Sequence, residues 1–352
     1  MNRRHILLAG LIFVASLGAR SIAGPVPAEI TDEQFWKMSS EFSEPDGNFR
    51  SDNLVSNEIG FQYVIPDLTR IAKQGRIYMG VGPEQNFTYI AALKPAMAFI
   101  VDIRRGNLDL HLMYKALFEL SKDRAEFLSR LFSRKRPEGV GAQSSAMELF
   151  DAYDRVEPSE ALYRENLKAI EGHLTHKHGF ALSTNDVAGI EYVFGYFHRF
   201  GPNLNYNSSG GGGGGNFVMY YELMTATDDM GRFRSYLANE ENFAFLKELE
   251  TKNLLVPVVG NFGGPQAIRA VGRYIKEVGG TVSAFYLSNV ENYLEMDGIW
   301  SNFCSNAATL PLDATSTFIR SVRGGGFGRG GGLNSELGKM LEDLGPCTTV
   351  KR

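Results

Sequence analysis

Apolar positions along the chain fall into two rhythms. Short continuous runs suit buried strands, and stretches spaced three to four residues apart suit helices. Residues 76–82, Arg-Ile-Tyr-Met-Gly-Val-Gly, form the first run. Residues 98–101 form the second, closed by Asp102. Between them, 83–93 predict a helix, with Pro83 at the opening position where a missing N–H costs least. The pattern recurs late in the chain. Residues 254–259 are apolar and β-branched, Gly263-Gly264-Pro265 turns the chain, and 266–278 predict a helix stopped by Gly279-Gly280. Residues 281–287 predict the next strand. This alternation predicts an α/β, Rossmann-like fold, with a mostly parallel sheet and helices on both faces.

The remaining stretches are helical. Residues 31–42 predict a short amphipathic helix with Thr31 as its N-cap. Residues 57–72 predict a helix led by Ser56, with Pro66 ending or kinking it. Residues 108–120 and 123–132 keep helical spacing, and 142–170 predict two helices joined near Glu157-Pro158. The expectation is one domain over 24–352, with a helical insertion at about 121–200. Two glycine-rich tracts, 203–216 and 324–332, predict flexible loops. Neither is followed by the Gly-Lys-Ser/Thr of a phosphate-binding loop. Met219 to Met224, with Tyr220, Tyr221 and Leu223, reads as core.

The N-terminus breaks the pattern. Arg3 and Arg4 precede an apolar stretch over 6–18 and small residues at 21–23. That order predicts a signal peptide over 1–23, because the stretch falls short of the ~20 residues of a membrane span. The arginine pair also resembles a twin-arginine signal. The expected location is therefore periplasmic or extracellular, with membrane contact only through the export signal. Of 352 residues, 43% are hydrophobic and 22% charged, as in globular proteins. A net charge of −4 supplies no basic face for nucleic acid. Cys304 and Cys347 either pair, as an oxidising compartment permits, or remain two thiols.

The segment with most chemical information is Gly80-Val81-Gly82-Pro83-Glu84-Gln85, between a predicted strand and a predicted helix. Glycines there let backbone approach a ligand, and the helix start offers unpaired N–H groups. Asp102, at the next strand's end, suits ribose hydroxyls. Gln85 replaces the third glycine of the dinucleotide fingerprint, and Glu84 would repel a pyrophosphate. A nucleoside without pyrophosphate fits better. Residues 77–102 resemble the first two strands of class I S-adenosylmethionine-dependent methyltransferases. That resemblance implies that Gly80 and Gly82 back the methionine part and Asp102 holds the ribose.

A narrower resemblance runs from about Phe49 to Arg323, excluding the polyglycine. It rests on Tyr78-Met-Gly-Val-Gly-Pro-Glu-Gln-Asn-Phe-Thr-Tyr-Ile90, Phe99-Ile-Val-Asp-Ile-Arg-Arg105 and Phe285-Tyr-Leu-Ser-Asn-Val-Glu291. These segments resemble an uncharacterised bacterial family, similar to a Leptospira protein with a methyltransferase-like fold. It implies the fold and carries no reaction.

Open α/β sheets bind ligands beyond the carboxyl ends of their strands. That rule gathers 80–86, 102–105, 261–263, Ser288 and Asn289 around one cleft. Arg104 or Arg105 would neutralise a ligand carboxylate or form a surface ion pair. Asn261 and Asn289 would bind an adenine edge or substrate amide, or simply cap turns. Asp52, Asn53, Asn57 and Glu58 would form a lid or a capped helix start. His173, His176 and His178 read as a solvated turn, and no metal ligands are assigned. The alternative there is a metal site completed by Glu171 or Asp186. Three functional expectations remain: an exported protein binding S-adenosylmethionine or a related nucleoside, with or without catalysis; a non-catalytic binding protein that kept the fold without the cofactor; and, behind both, a metal-dependent enzyme using the His173–His178 segment. A small-molecule partner follows from the first two; oligomeric state does not.

Overall fold

The computed structural model describes residues 25–210, 217–323 and 333–349. The expected signal peptide, residues 211–216 of the first glycine tract and the whole of 324–332 lie outside them. Six strands form one sheet: β1 Ile77–Gly80, β2 Met97–Asp102, β3 Leu255–Val259, β4 Val282–Ser288, β5 Thr317–Arg323 and β6 Leu333–Lys339. Their spatial order is β3-β2-β1-β4-β5-β6. All neighbours are parallel except β5 and β6. The first three strands are buried throughout, and it is burial on both faces that makes their sequences continuous apolar runs. The expected α/β, Rossmann-like architecture is present.

Among the described residues, the helices of six residues or more are α1 Asp32–Glu41, α2 Ile65–Ile71, α3 Gln85–Leu93, α4 Arg105–Leu120, α5 Arg124–Phe132, α6 Ala146–Asp154, α7 Glu160–Gly172, α8 Thr184–Phe200, α9 Tyr220–Thr225, α10 Glu240–Thr251, α11 Ala267–Glu277, α12 Val290–Met296 and α13 Trp300–Ala307. Local sequence explains several boundaries. Thr31 and Gln34 form a reciprocal capping box at the start of α1. Ser145 with Glu148 does the same for α6, and Ser183 with Asp186 for α8. Pro66 corrects the expectation for 57–72: it opens α2, after a tight turn over Phe61–Val64, and neither ends nor kinks it. A proline costs nothing in a helical first turn, where its N–H has no partner.

The edge strand β3 contains Pro257, which lacks a ladder donor and is tolerated at an edge. The N-terminal segment covers that edge. Ser39 Oγ donates to Pro257 O at 2.7 Å, and Glu44 N–H donates to Val259 O at 2.8 Å. Among the described residues, the seven helices α4 to α10 stand between β2 and β3, a longer excursion than 121–200. They bury an aromatic cluster of Phe87, Tyr114, Phe118, Phe127, Tyr236 and Phe243. Tyr220, Leu223 and Met224 are also core. Cys304 and Cys347 form a disulfide with Cα atoms 5.5 Å apart. It ties α13 to the C-terminal residues and stabilises by about 3–4 kcal/mol in the loop-entropy account.

Candidate functional site

The chain leaves β1 toward β2 and β3 on one side, then returns to β4 on the other. The reversal between β1 and β4 is a topological switch point, where open α/β sheets form their ligand crevice. A cleft of about 310 Å³ lies there, at the low end of the ~300–1,000 Å³ usual for ligand pockets. Gly82, Asp102, Arg104, Asn261, Ser288 and Asn289 line it, as the strand-end rule predicts. Gly80 and Glu84 are not among its lining residues. Arg105 is directed elsewhere, pairing with Asp186 at 2.7 Å.

The glycine turn is held from below. Gly82 has φ +78°, which a side chain would strain. A Cβ on Gly80 would collide with the Asn86 side chain. Asn86 Nδ2 donates to the carbonyls of Val81, Gly82 and Pro83 at 2.9, 3.2 and 2.8 Å. Nothing in the sequence pattern singled out Asn86 as the clasp of the turn. His111 Nε2 lies 2.9 Å from Gly82 O, and burial lowers that imidazole to about 4. It is therefore neutral and donates to the carbonyl.

Glu84 corrects a second expectation. Its side chain is wholly buried, and burial pushes the carboxyl up to about 8, against a smaller opposing pull from the Ser56 N–H. It is mainly an uncharged acid at neutral pH, so it does not repel a ligand at the turn. Asp109 and Glu250 are likewise raised to about 8 by burial. For each, the folded value exceeds the unfolded one. The stability they contribute is therefore complete below about pH 4 and lost as pH rises through 8. His111 works in the opposite direction only between about pH 4 and 6.5. Stability should thus fall from about pH 6.5 to 7.5. Glu84→Gln should flatten that slope by about 1.4 kcal/mol per pH unit in urea unfolding.

Asp102 and Arg104 form a closed pair. Asp102 Oδ1 accepts from the Arg104 backbone N–H at 2.9 Å and from Nε at 3.0 Å, while Oδ2 accepts from Nη2 at 2.9 Å. Arg104 Nη1 donates to the carbonyls of Ser51 and Asp52. The guanidinium is a strut between β2 and segment 48–58, and it does not stand free for a ligand carboxylate. Asn261 caps its own turn, with Oδ1 accepting from Gly263 N–H at 2.9 Å.

Asn53, Asn57 and Glu58 line the cleft, so part of the suspected lid forms one wall. Glu58 is its hub. Oε1 accepts from Ser288 Oγ at 2.6 Å and Tyr286 OH at 2.9 Å, and Oε2 accepts from Gln85 Nε2 at 2.9 Å. Gln85, the replacement for the third glycine, is thus the joint between α3 and this wall. Ser288 sits at φ +50°, an unfavourable backbone for a serine, where β4 turns toward α12. At the mouth, Arg50 Nη2 donates to Tyr293 OH at 2.8 Å, and Phe49 meets the Tyr293 ring edge-on. The walls are rich in carboxamides and aromatic rings, which suits a neutral or zwitterionic polar ligand.

A family model described as a domain of unknown function, DUF7790, matches residues 54–336. The chain belongs to that family. The matched span of the DUF7790 domain runs from the cleft wall at Leu54 into β6, so it takes in the sheet and most of the cleft. A search of curated proteins finds no match. Among the described residues of this DUF7790 chain, no helix is long and apolar enough to cross a membrane.

Proposed function

We propose that this DUF7790 protein is exported and binds S-adenosylmethionine or a related nucleoside in the switch-point cleft. The observation that carries the reading is convergence. The turn at Gly82, the acid at the end of β2 and the Ser288-Asn289 corner after β4 line one cavity. The adenine would lie among the carboxamides and aromatic rings, with its ribose toward Asp102. If a methyl group is transferred, Glu58 is the carboxylate at hand to take a proton from the acceptor, and the cleft walls would align that acceptor. The Cys304–Cys347 disulfide supports an oxidising compartment and hence export.

One observation favours a second reading, a non-catalytic binding protein that kept the fold without the cofactor. Both Asp102 oxygens already accept from Arg104. A ribose must share them or displace the guanidinium.

Calorimetric titration with S-adenosylmethionine and S-adenosylhomocysteine separates the two. Micromolar binding, weakened at least tenfold in Asp102→Asn, supports the nucleoside site. No heat from either compound, in folded protein, eliminates it and leaves the second reading.

A further inference from the structure

The segment Gly172-His-Leu-Thr-His-Lys-His178 does not form a solvated turn. Residues His173–Lys177 make a π-turn, in which the His178 N–H donates to His173 O at 3.1 Å. In an α-helix, residues five apart diverge by about 140° around the axis. The wider π-turn places His173 and His178 on one face instead, and such turns recur at functional sites. Both imidazoles point at the same oxygen. His173 Nε2 and His178 Nε2 each lie 2.9 Å from Glu119 Oε2, near the end of α4. The His178 and Glu119 side chains are only 4% and 2% exposed, while His176 is exposed and stands outside the group.

The surroundings hold these donors as a metal site requires. His178 Nδ1 lies 2.6 Å from Asp32 Oδ1, and Asn253 Nδ2 donates to that same oxygen at 2.8 Å. A carboxylate on the far nitrogen fixes the tautomer that leaves Nε2 free to ligate. Lys115 Nζ lies 2.8 Å from Glu119 Oε1, anchoring the oxygen that the histidines do not face.

A cation already touches two of the three donors. The Lys177 ammonium lies 2.8 Å from Glu119 Oε2 and 3.4 Å from His173 Nε2. Its side chain is 55% exposed and can swing into solvent.

We infer that Glu119, His173 and His178 bind one divalent transition-metal ion of the zinc class, in place of the Lys177 ammonium. Two imidazoles and one carboxylate are the donors that borderline cations select. At bond lengths of about 2.0–2.1 Å, tetrahedral ligands lie about 3.3–3.4 Å apart. The two imidazole nitrogens each lie 2.9 Å from Glu119 Oε2 and would move out by about half an ångström, and all three donor atoms lie within 4.8 Å of one another, so side-chain adjustment of at most about 1.4 Å closes the set. Three protein ligands leave a fourth position open to solvent on the side Lys177 vacates. The site is separate from the cleft: α4 starts beside the cleft at Arg105 and carries Glu119 about 21 Å further along its axis.

The test is zinc titration of the untagged chain at about pH 7.5 against a chromophoric chelator. Cobalt(II) absorption reports the coordination geometry. The expected result is one ion per chain and a tetrahedral cobalt spectrum. His173→Gln and His178→Gln should each weaken binding at least tenfold. Asp32→Asn should weaken it by about 10–100-fold, as loss of a ligand's supporting carboxylate does. His176→Gln should leave affinity unchanged. Lys177→Met should tighten binding several-fold, a gain that misfolding cannot mimic. No stoichiometric ion in folded protein overturns the proposal. So does binding that survives both histidine substitutions, or that fails to tighten in Lys177→Met.

Discussion

Asp102→Ala is expected to lower the unfolding free energy by about 3–5 kcal/mol, the cost of leaving one member of a buried ion pair uncompensated. The Asp102 and Arg104 side chains are only 5% and 10% exposed, so solvent screens their interaction weakly. The substitution removes three hydrogen bonds at once: from the Arg104 backbone, Nε and Nη2. Arg104 would then be held only by the carbonyls of Ser51 and Asp52, and segment 48–58 would lose its tie to β2. Cleft and fold would loosen together. Lost ligand binding in the alanine variant could not be assigned to a missing ribose contact, so Asp102→Asn, which keeps an acceptor and the shape, is the proper control. Urea unfolding of the three proteins checks the expectation. A loss below about 1 kcal/mol for alanine would place the pair with exposed ion pairs and remove the strut from the account.

Arg124→Ala should cost a similar amount, about 3–5 kcal/mol, far from the cleft. Arg124 is among the largest fully buried side chains, and its fork joins three segments. Nε bonds Glu240 at 2.7 Å, Nη1 donates to Leu237 O at 2.7 Å, and Nη2 donates to Ala142 O and Ser144 O at 3.1 and 2.6 Å. Truncation strands the buried Leu237 carbonyl, the part-buried carbonyls of Ala142 and Ser144, and a carboxylate whose side chain is 27% exposed. Arg124→Lys should recover less than half the loss, because one ammonium cannot reach positions that a planar fork spans. Urea midpoints of the two variants, read with the slope, decide this. Lysine matching arginine would mean that charge, and not the fork, holds the junction.

Both positions show where sequence reading stopped. Asp102 stood out because it ends an apolar run about twenty residues after a glycine turn, the place of a ribose-binding acid. Its commitment to Arg104 was not visible, since residues two apart pair only when the backbone between them bends that way. Nothing in the helical stretch 123–132 marked Arg124. Its burial follows from the packing of α5 against loops around 142 and 237, and no local pattern encodes those contacts. Gln85 and Glu84 were read as defects of a nucleotide fingerprint. One is the hydrogen-bonded joint of the cleft wall, and the other is a buried acid that burial keeps largely uncharged. The strand β6 escaped for a different reason: Asn334 and Glu336 are exposed on an antiparallel edge, so no apolar run marks it.

The sequence by itself determined the fold class and the place of the cleft. Strands buried on both faces must be written as continuous apolar runs, helices must repeat at their own period, and a glycine turn between them needs its glycines. Those constraints are local or periodic, so they survive in a one-dimensional string. Tertiary structure alone decided which polar groups meet. Asp102 with Arg104, Glu58 with Ser288 and Tyr286, and Glu119 with His173 and His178 join residues whose partners are chosen by backbone direction or by chain packing. Hydrogen bonding and ion pairing act over about 3 Å. Only the folded chain brings groups from distant positions within that reach.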